Sequence, residues 1–360
     1  MKPTIGFDGL YFDKQPSGVG KFLISILREL TNSVDGQFIV FSNKDVFLPE
    51  DVSKKVKIVI DKRYLKSVKK IVWLKLFSGF LIRKTKIDFY FSGTGFLPIL
   101  NPHIKKIVLV HDLNYILVPE TMGKLSLISH KLFFRSDVNK ADYVISNSQG
   151  TANKVLKIFG RISNIIVQPQ IDALYRIIEE NQKQQDLLKL GIDYNYLLTV
   201  GNIEPRKNLL LTIRCFLELI KDERYSKYKL LMVGGKGWNN IEINELCEQN
   251  PKDIVKLGYV SDNDLLTIYN GASVFLFPSI YEGFGMPIRE AINCGVRVIT
   301  SDIEELKESS SGNAVFINPH SSVEYLSAMK FQLEQIGHIS QSFVYRSEIA
   351  KLFSYLTMPS

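Results

Sequence analysis

Short apolar runs recur along the whole chain, each followed by a stretch with apolar residues at helical spacing. In the first half they fall at 4–9, 37–42, 56–60, 89–93, 106–112, 143–148 and 164–169. In the second half they fall at 196–201, 228–235, 255–260, 274–279, 296–302 and 314–319. Runs of this length, apolar almost throughout, predict strands buried on both faces of parallel sheets, and the helical segments between them predict α/β units. A polar interval, DALYRIIEENQKQQDLLKLGIDYN, separates the two series. The pattern therefore predicts an α/β protein of two Rossmann-like, doubly wound parallel-sheet domains facing a cleft. The first covers 1–172, the second 196–340, and a hinge spans 173–195. In such sheets ligands bind outside the carboxyl ends of the strands.

Two of the strand ends carry candidate chemistry. The run VFLF is followed by PSIYEGFGMPIREAINCG, with Glu282 and Glu290 eight residues apart around Gly283, Phe284 and Gly285. Pro287 fits the start of a helix and Gly295 the left-handed position just past its end. Glu282 is thus expected on the loop feeding a helix N-terminus and Glu290 near its first turn. The free N–H groups there favour an anionic or polyhydroxylated ligand, and carboxylates accept hydrogen bonds from sugar hydroxyls. Upstream, YLLTVGNIEPRKNLLLTIRCFLELI places Arg206 and Lys207 at a second strand end beside a helix start. Two cations so placed form a clamp for a diphosphate leaving group.

These two stretches resemble the signature of retaining nucleotide-sugar glycosyltransferases, family 4 of the two-Rossmann GT-B fold. The resemblance implies that Glu282 contacts the transferred sugar, Glu290 the nucleotide ribose and Lys207 the phosphates. Many members carry Arg directly after the glycine where this chain has Asn202, so Arg206 is expected to supply that charge. QPSGVGKF resembles the start of members acting on bacterial polysaccharides, which gives Gly18 and Gly20 a backbone role at the donor. His111, in the family's HDL setting, is expected against the donor sugar; Ser146 and Ser148 are weaker candidates for the same cleft. The other four histidines have no comparable setting. In that fold a last helix, here about 341–358, crosses back to the first domain.

The implied activity is a metal-independent, retaining transfer of a hexose or deoxyhexose from a GDP-, UDP- or dTDP-sugar to a glycan acceptor, most plausibly lipid-linked, in bacterial cell-surface polysaccharide synthesis. No cofactor beyond the donor is expected. Rival readings are a GT-B nucleotide-sugar epimerase or phosphorylase, and an inactive transferase-like partner subunit. The survival of Lys207, Glu282 and Glu290 speaks against them.

Charge adds one expectation. Residues 1–175 hold 26 Lys/Arg against 14 Asp/Glu. Nine of the basic residues lie in 61–86, around IVWLKLFSGFLI. Twelve residues interrupted by Lys75 are too few to span a bilayer, but the mixture suits a helix in an anionic headgroup region. Lys66, Lys69, Lys70 and Trp73 are the expected membrane contacts, with 124–137 a weaker second candidate. The alternative is an amphipathic helix packed on the sheet with a solvated basic face. No nucleic-acid reader motif accompanies the charge. Cys215, Cys247 and Cys294 are odd in number and isolated, as in a reducing compartment, and the opening MKPTIGFDGLYF reads as a strand and not a leader. The expected location is cytoplasmic, peripheral to the inner face of the plasma membrane.

Overall fold

In the computed structural model, which describes residues 2–64, 70–235, 237, 241–335, 349 and 353, the chain divides into two units. The first comprises 1–170 and 345–360, the second 171–344. Each expected apolar run overlaps a strand. In the first unit they are β1 (Thr4–Asp8), β2 (Gln37–Ser42), β3 (Val56–Ile60), β4 (Phe89–Ser92), β5 (Lys105–Val110), β6 (Tyr143–Ser146) and β7 (Ile165–Ile166). In the second they are β8 (Tyr196–Val200), β9 (Lys229–Val233), β10 (Ile254–Gly258), β11 (Val274–Phe277), β12 (Val298–Ser301) and β13 (Val315–Ile317).

All pairings are parallel, for example Ile5 opposite both Phe38 and Phe89. The strand orders are β3-β2-β1-β4-β5-β6-β7 and β10-β9-β8-β11-β12-β13. The order reverses between β1 and β4 in one sheet and between β8 and β11 in the other. A crevice at the strand carboxyl ends is expected there.

Helices cover both faces. Those that matter below are α1 (Gly18–Ser33), α2 (a helical run over 70–83), α3 (a helical run over 124–140), α4 (Gln149–Phe159), α5 (Glu180–Lys189), α6 (Leu209–Leu219), α7 (Asp262–Gly271), α8 (Met286–Asn293) and α9 (Ser322–Glu334). α2 contains a π-helical turn at Leu74–Ser78, and α3 one at His130–Phe134. The buried apolar side chains form one layer on each face of each sheet. Phe7, Phe91 and Leu109 belong to one face of the first sheet, and Tyr90, Val108 and Val110 to the other. Ile349 and Phe353 pack with the former set, Phe353 edge-on to Phe89 at 5.8 Å. The remainder of the expected helix at 341–358 lies outside the described residues.

The segment expected as a hinge packs within the second unit. Residues 173–195 belong to the second unit, where Tyr175 and Ile192 are buried in the core beside Tyr269. The Asn270 side chain bonds both ways with this segment, accepting from Ile178 N at 3.0 Å and donating to Arg176 O at 2.9 Å. The stretch reads as polar because none of the residues of α5 is buried; two anchors outside the helix fix it. All three cysteines are buried free thiols. Among the described residues no helix is long and apolar enough to cross a membrane.

Candidate functional site

Three of the expected residues meet at the switch point of the second unit. The backbone leaving β8 turns through Pro205–Lys207 and enters α6 at Asn208, which adopts a left-handed conformation (φ 57°). Its side chain donates to Pro319 O at 2.7 Å, holding that turn. The loop after β11 is tied to it by Ile280 N donating to Arg206 O at 2.8 Å. Across this junction Arg206 Nη1 donates to Glu282 Oε2 at 2.5 Å and Lys207 Nζ to Glu282 Oε1 at 2.6 Å. Arg206 also reaches Glu204 at 3.2 Å, and the Lys207 ammonium lies 4.2 Å from the Phe277 ring centre.

Burial alone would raise the Glu282 carboxyl, but the two cations outweigh it and hold it at about 2. Burial draws Lys207 below its usual value despite the carboxylate beside it. The clamp and the acid expected to touch the sugar are thus one ionised network, with Glu282 holding the two cations an anionic ligand would take.

Glu290 is the fifth residue of α8, close to the expected first turn, and is buried. Its Oε2 accepts from the Tyr269 hydroxyl at 2.9 Å. Tyr269, on α7, carries no local sequence signal. The Phe284 ring is buried under the Arg289 guanidinium at 4.5 Å and packs the loop, so its side chain does not face a donor. Gly285 begins α8 at φ 99°, and a Cβ there would lie 2.6 Å from Leu306. Gly283, between Glu282 and Phe284, is partly exposed, and Asn202 is exposed near Glu204. Beside this network opens a cavity of about 700 Å³ lined by Gly201, Gly234, Gly235, Lys256, Gly258 and Tyr259, which the sequence did not reveal.

The first unit carries a second polar cluster at its own switch point. His111 and Asp112 lie just past β5. The His111 Nε2–H donates to Gly93 O at 2.7 Å; since a carbonyl only accepts, Nδ1 is left as the acceptor. Burial lowers the imidazole below its usual value, which keeps it neutral. The Gly93 N–H donates in turn to Asp8 Oδ2 at 2.9 Å. Asp8 ends β1 fully enclosed, and burial pushes its carboxyl up to about 7, outweighing the hydrogen bonds from Gly93, Leu10 and Ser92 that favour the charged form. A pocket of about 150 Å³ is lined by Tyr11, Lys70, Thr94, His111, Asp112 and His130. His130, which has no comparable setting in the sequence, thus joins His111. Its ring stacks on Phe134 at 5.4 Å and meets Phe96 edge-on at 4.8 Å.

Other first-unit expectations change. The Gly20 N–H donates to Ser17 Oγ at 3.4 Å, capping α1, and a Cβ at Gly20 would lie 2.5 Å from Tyr11 O. Gly20 therefore admits the Tyr11 loop and does not present its N–H to a donor; Gly18 opens the same helix, exposed. Ser146 bonds to Ser163 at 2.7 Å, and Ser148 caps α4 by accepting from Thr151 N at 3.0 Å, so neither lines a cleft. Trp73 is fully buried, its Nε1–H donating to Asp61 at 3.3 Å, and cannot touch a membrane. Lys70 approaches Asp13 at 3.5 Å and the Tyr11 ring at 4.7 Å. Lys66 and Lys69 lie outside the described residues. Among the described residues no group of three His, Cys, Asp or Glu side chains is placed to hold a metal ion.

Two doubly wound, all-parallel units with polar clusters at their switch points define a GT-B architecture. The crystal structure of WaaG, a glycosyltransferase involved in lipopolysaccharide biosynthesis, shares it, with a TM-score of 0.70 at 16% identity over 92% of this chain and 90% of that one. Residues 179–335 match the family model described as Glycosyl transferases group 1. It is 28% identical to the O-antigen chain mannosyltransferase B of Escherichia coli over 248 residues, 67% of this chain and 64% of that one. It is 26% identical over 166 residues to a Campylobacter jejuni N-acetylgalactosaminyltransferase named for a diphospho-undecaprenol substrate, covering 45% of this chain and 42% of that one. The chain thus spans less than two thirds of the length of these curated relatives.

Proposed function

We propose that the protein transfers a hexose or deoxyhexose, with mannose the first candidate, from a nucleotide-sugar to a lipid-linked glycan acceptor in bacterial cell-surface polysaccharide synthesis. The observation that carries this reading is the Arg206–Lys207–Glu282 network at the β8/β11 switch point. Two cations and one carboxylate there match a ligand that joins a diphosphate to a sugar. The adjoining cavity of about 700 Å³ is roomy enough for a nucleoside.

In this reading Lys207 and Arg206 release Glu282 and take the donor's diphosphate. They meet the negative charge that grows on it as the sugar–oxygen bond breaks. This assigns the neutralising work to the protein's own cations, and no step calls for a metal. Glu282, freed, accepts from sugar hydroxyls, and Glu290, steadied by Tyr269, accepts from the ribose. Retention follows if the acceptor hydroxyl attacks from the face the diphosphate leaves, giving its proton to the departing phosphate oxygen. His111 offers Nδ1 as an acceptor to a hydroxyl of the sugar or acceptor. The lipid-linked acceptor is supported by the name of the Campylobacter relative and implies work at the inner face of the plasma membrane.

The test is thermal unfolding against GDP-mannose, UDP-hexoses and dTDP-rhamnose. A ligand at about 100 times its dissociation constant adds roughly 2.7 kcal/mol, a shift of several degrees. One donor should raise the melting temperature, and Lys207→Ala should abolish the rise. No response to any donor would defeat the reading.

A further inference from the structure

Helices α2 and α3 of the first unit each turn an apolar stripe outward. Val72 and Leu76 stand four residues apart on one; Leu125, Ile128 and Leu132 follow at spacings of three and four on the other. Leu76, Leu125 and Leu132 are each about two-thirds exposed, at 66%, 66% and 65%. Between the stripes runs a trough of about 420 Å³. At its floor the Lys75 ammonium bonds both oxygens of Asp137, at 2.8 and 2.7 Å, and Leu97 O at 2.8 Å. That pair pins the helices together and leaves the floor without net charge. Each helix contains one π-helical turn, a distortion found often at functional sites.

The trough is continuous with the polar pocket of His111 and His130. Tyr11, Lys70, Ile71 and Ser126 line both. Lys70 therefore stands where apolar surface gives way to polar, its side chain 43% exposed and its Asp13 contact a long 3.5 Å. A ligand matching this sequence of surfaces has hydroxyls at one end, an anion in the middle and a hydrocarbon chain at the other.

We propose that the trough seats the apolar tail of the acceptor lipid, with the lipid's phosphate against Lys70 and its first sugar entering the histidine pocket. The identity of that lipid as an acceptor rests on the transferase reading above; the site itself does not. A flat bilayer would meet the two stripes without needing a trough that opens into a polar pocket. A docking helix would leave the cation at the junction unexplained.

The experiment is calorimetric titration of the full-length protein with n-hexyl, n-octyl and n-decyl phosphate below their critical micelle concentrations, and with inorganic phosphate. Each methylene that enters the trough should tighten binding about fourfold, and inorganic phosphate should bind more weakly than any of them. Leu132→Glu and Leu76→Glu should each weaken decyl phosphate at least tenfold, while Leu188→Glu, equally exposed on the second unit, should not. Lys70→Gln should lower affinity for every alkyl phosphate but keep the chain-length dependence. Melting curves of these surface variants show whether the fold is kept. Affinity independent of chain length, or unchanged by Leu132→Glu, would overturn the proposal. Loss of co-sedimentation with anionic vesicles in Leu132→Glu, alongside unchanged alkyl-phosphate binding, would also overturn it and assign the stripes to the bilayer surface. Alkyl-phosphate binding without any nucleotide-sugar response would sink the transferase reading and leave the lipid site standing.

Discussion

Replacing Glu282 by glutamine removes the anion that Arg206 and Lys207 share and should affect stability and ligand affinity in opposite directions. The carboxyl is held at about 2 against an ordinary 4.5, a difference of roughly 3 kcal/mol in favour of the charged form. Because the folded value is depressed, this stabilisation is complete above about pH 5 and is lost as the pH falls toward 2. At pH 7 Glu282→Gln should therefore cost on the order of 2–3 kcal/mol, since two enclosed cations are left facing each other. Glu204 and the Phe277 ring retain part of the compensation. The melting temperature should drop by about 5–10 °C, and the gap from the parent should narrow as the pH is lowered toward 3. A nucleoside diphosphate, however, would no longer compete with an internal carboxylate. Each 1.4 kcal/mol so released is about tenfold in affinity, so GDP or UDP should bind Glu282→Gln tighter while transfer is lost. Melting curves between pH 3 and 8 and calorimetry with free GDP and UDP read both effects. A variant as stable as the parent at pH 7, or one that binds nucleoside diphosphate more weakly, would refute the reasoning.

Asp8, held up at about 7, resists ionisation on folding, so the parent should lose stability as the pH rises from about 4 to 7. Asp8→Asn should be spared that loss, its advantage in melting temperature growing across this window and levelling above it; a constant offset would contradict the assignment. Tyr269→Phe deletes the hydrogen bond to Glu290, worth about 1 kcal/mol; it should weaken nucleoside diphosphates several-fold and leave inorganic pyrophosphate unchanged. Trp73→Ala should destabilise by about 3–5 kcal/mol, and the folded fraction should bind anionic vesicles as the parent does; lost vesicle binding without lost stability would restore the membrane role.

The strands were legible because burial on both faces leaves a run of apolar letters with no helical phase. Their ends were not, since Gly93, His111 and Ser148 fall inside the expected runs but past the last residues of the strands, where they serve loops and caps. The clamp was legible because Arg206, Lys207, Glu282 and Glu290 lie in two local motifs. Tyr269 and Asp8 escaped notice because their partners sit 21 and 85 residues away, and separations of that size leave no pattern in a window. Trp73 was misread for a different reason. Basic and aromatic letters mix through 61–86, while the π-helical turn shifts the helical phase. Composition alone could not say that Trp73 and Leu74 face inward and Val72 and Leu76 outward.

The packing of Ile349 and Phe353 against the first sheet bears on how the chain is made. Domains ordinarily fold in the order in which they leave the ribosome. Here the second unit is contiguous and all of it has been synthesised by residue 344, whereas the first lacks two fully buried core side chains until residue 353 has emerged. The second unit should therefore reach its native packing while the earlier-made unit is still waiting. A nascent chain stalled through a C-terminal linker, so that residue 344 is outside the exit tunnel and residues 349 and 353 are still inside it, should display a protease-resistant second unit joined to a protease-sensitive first one.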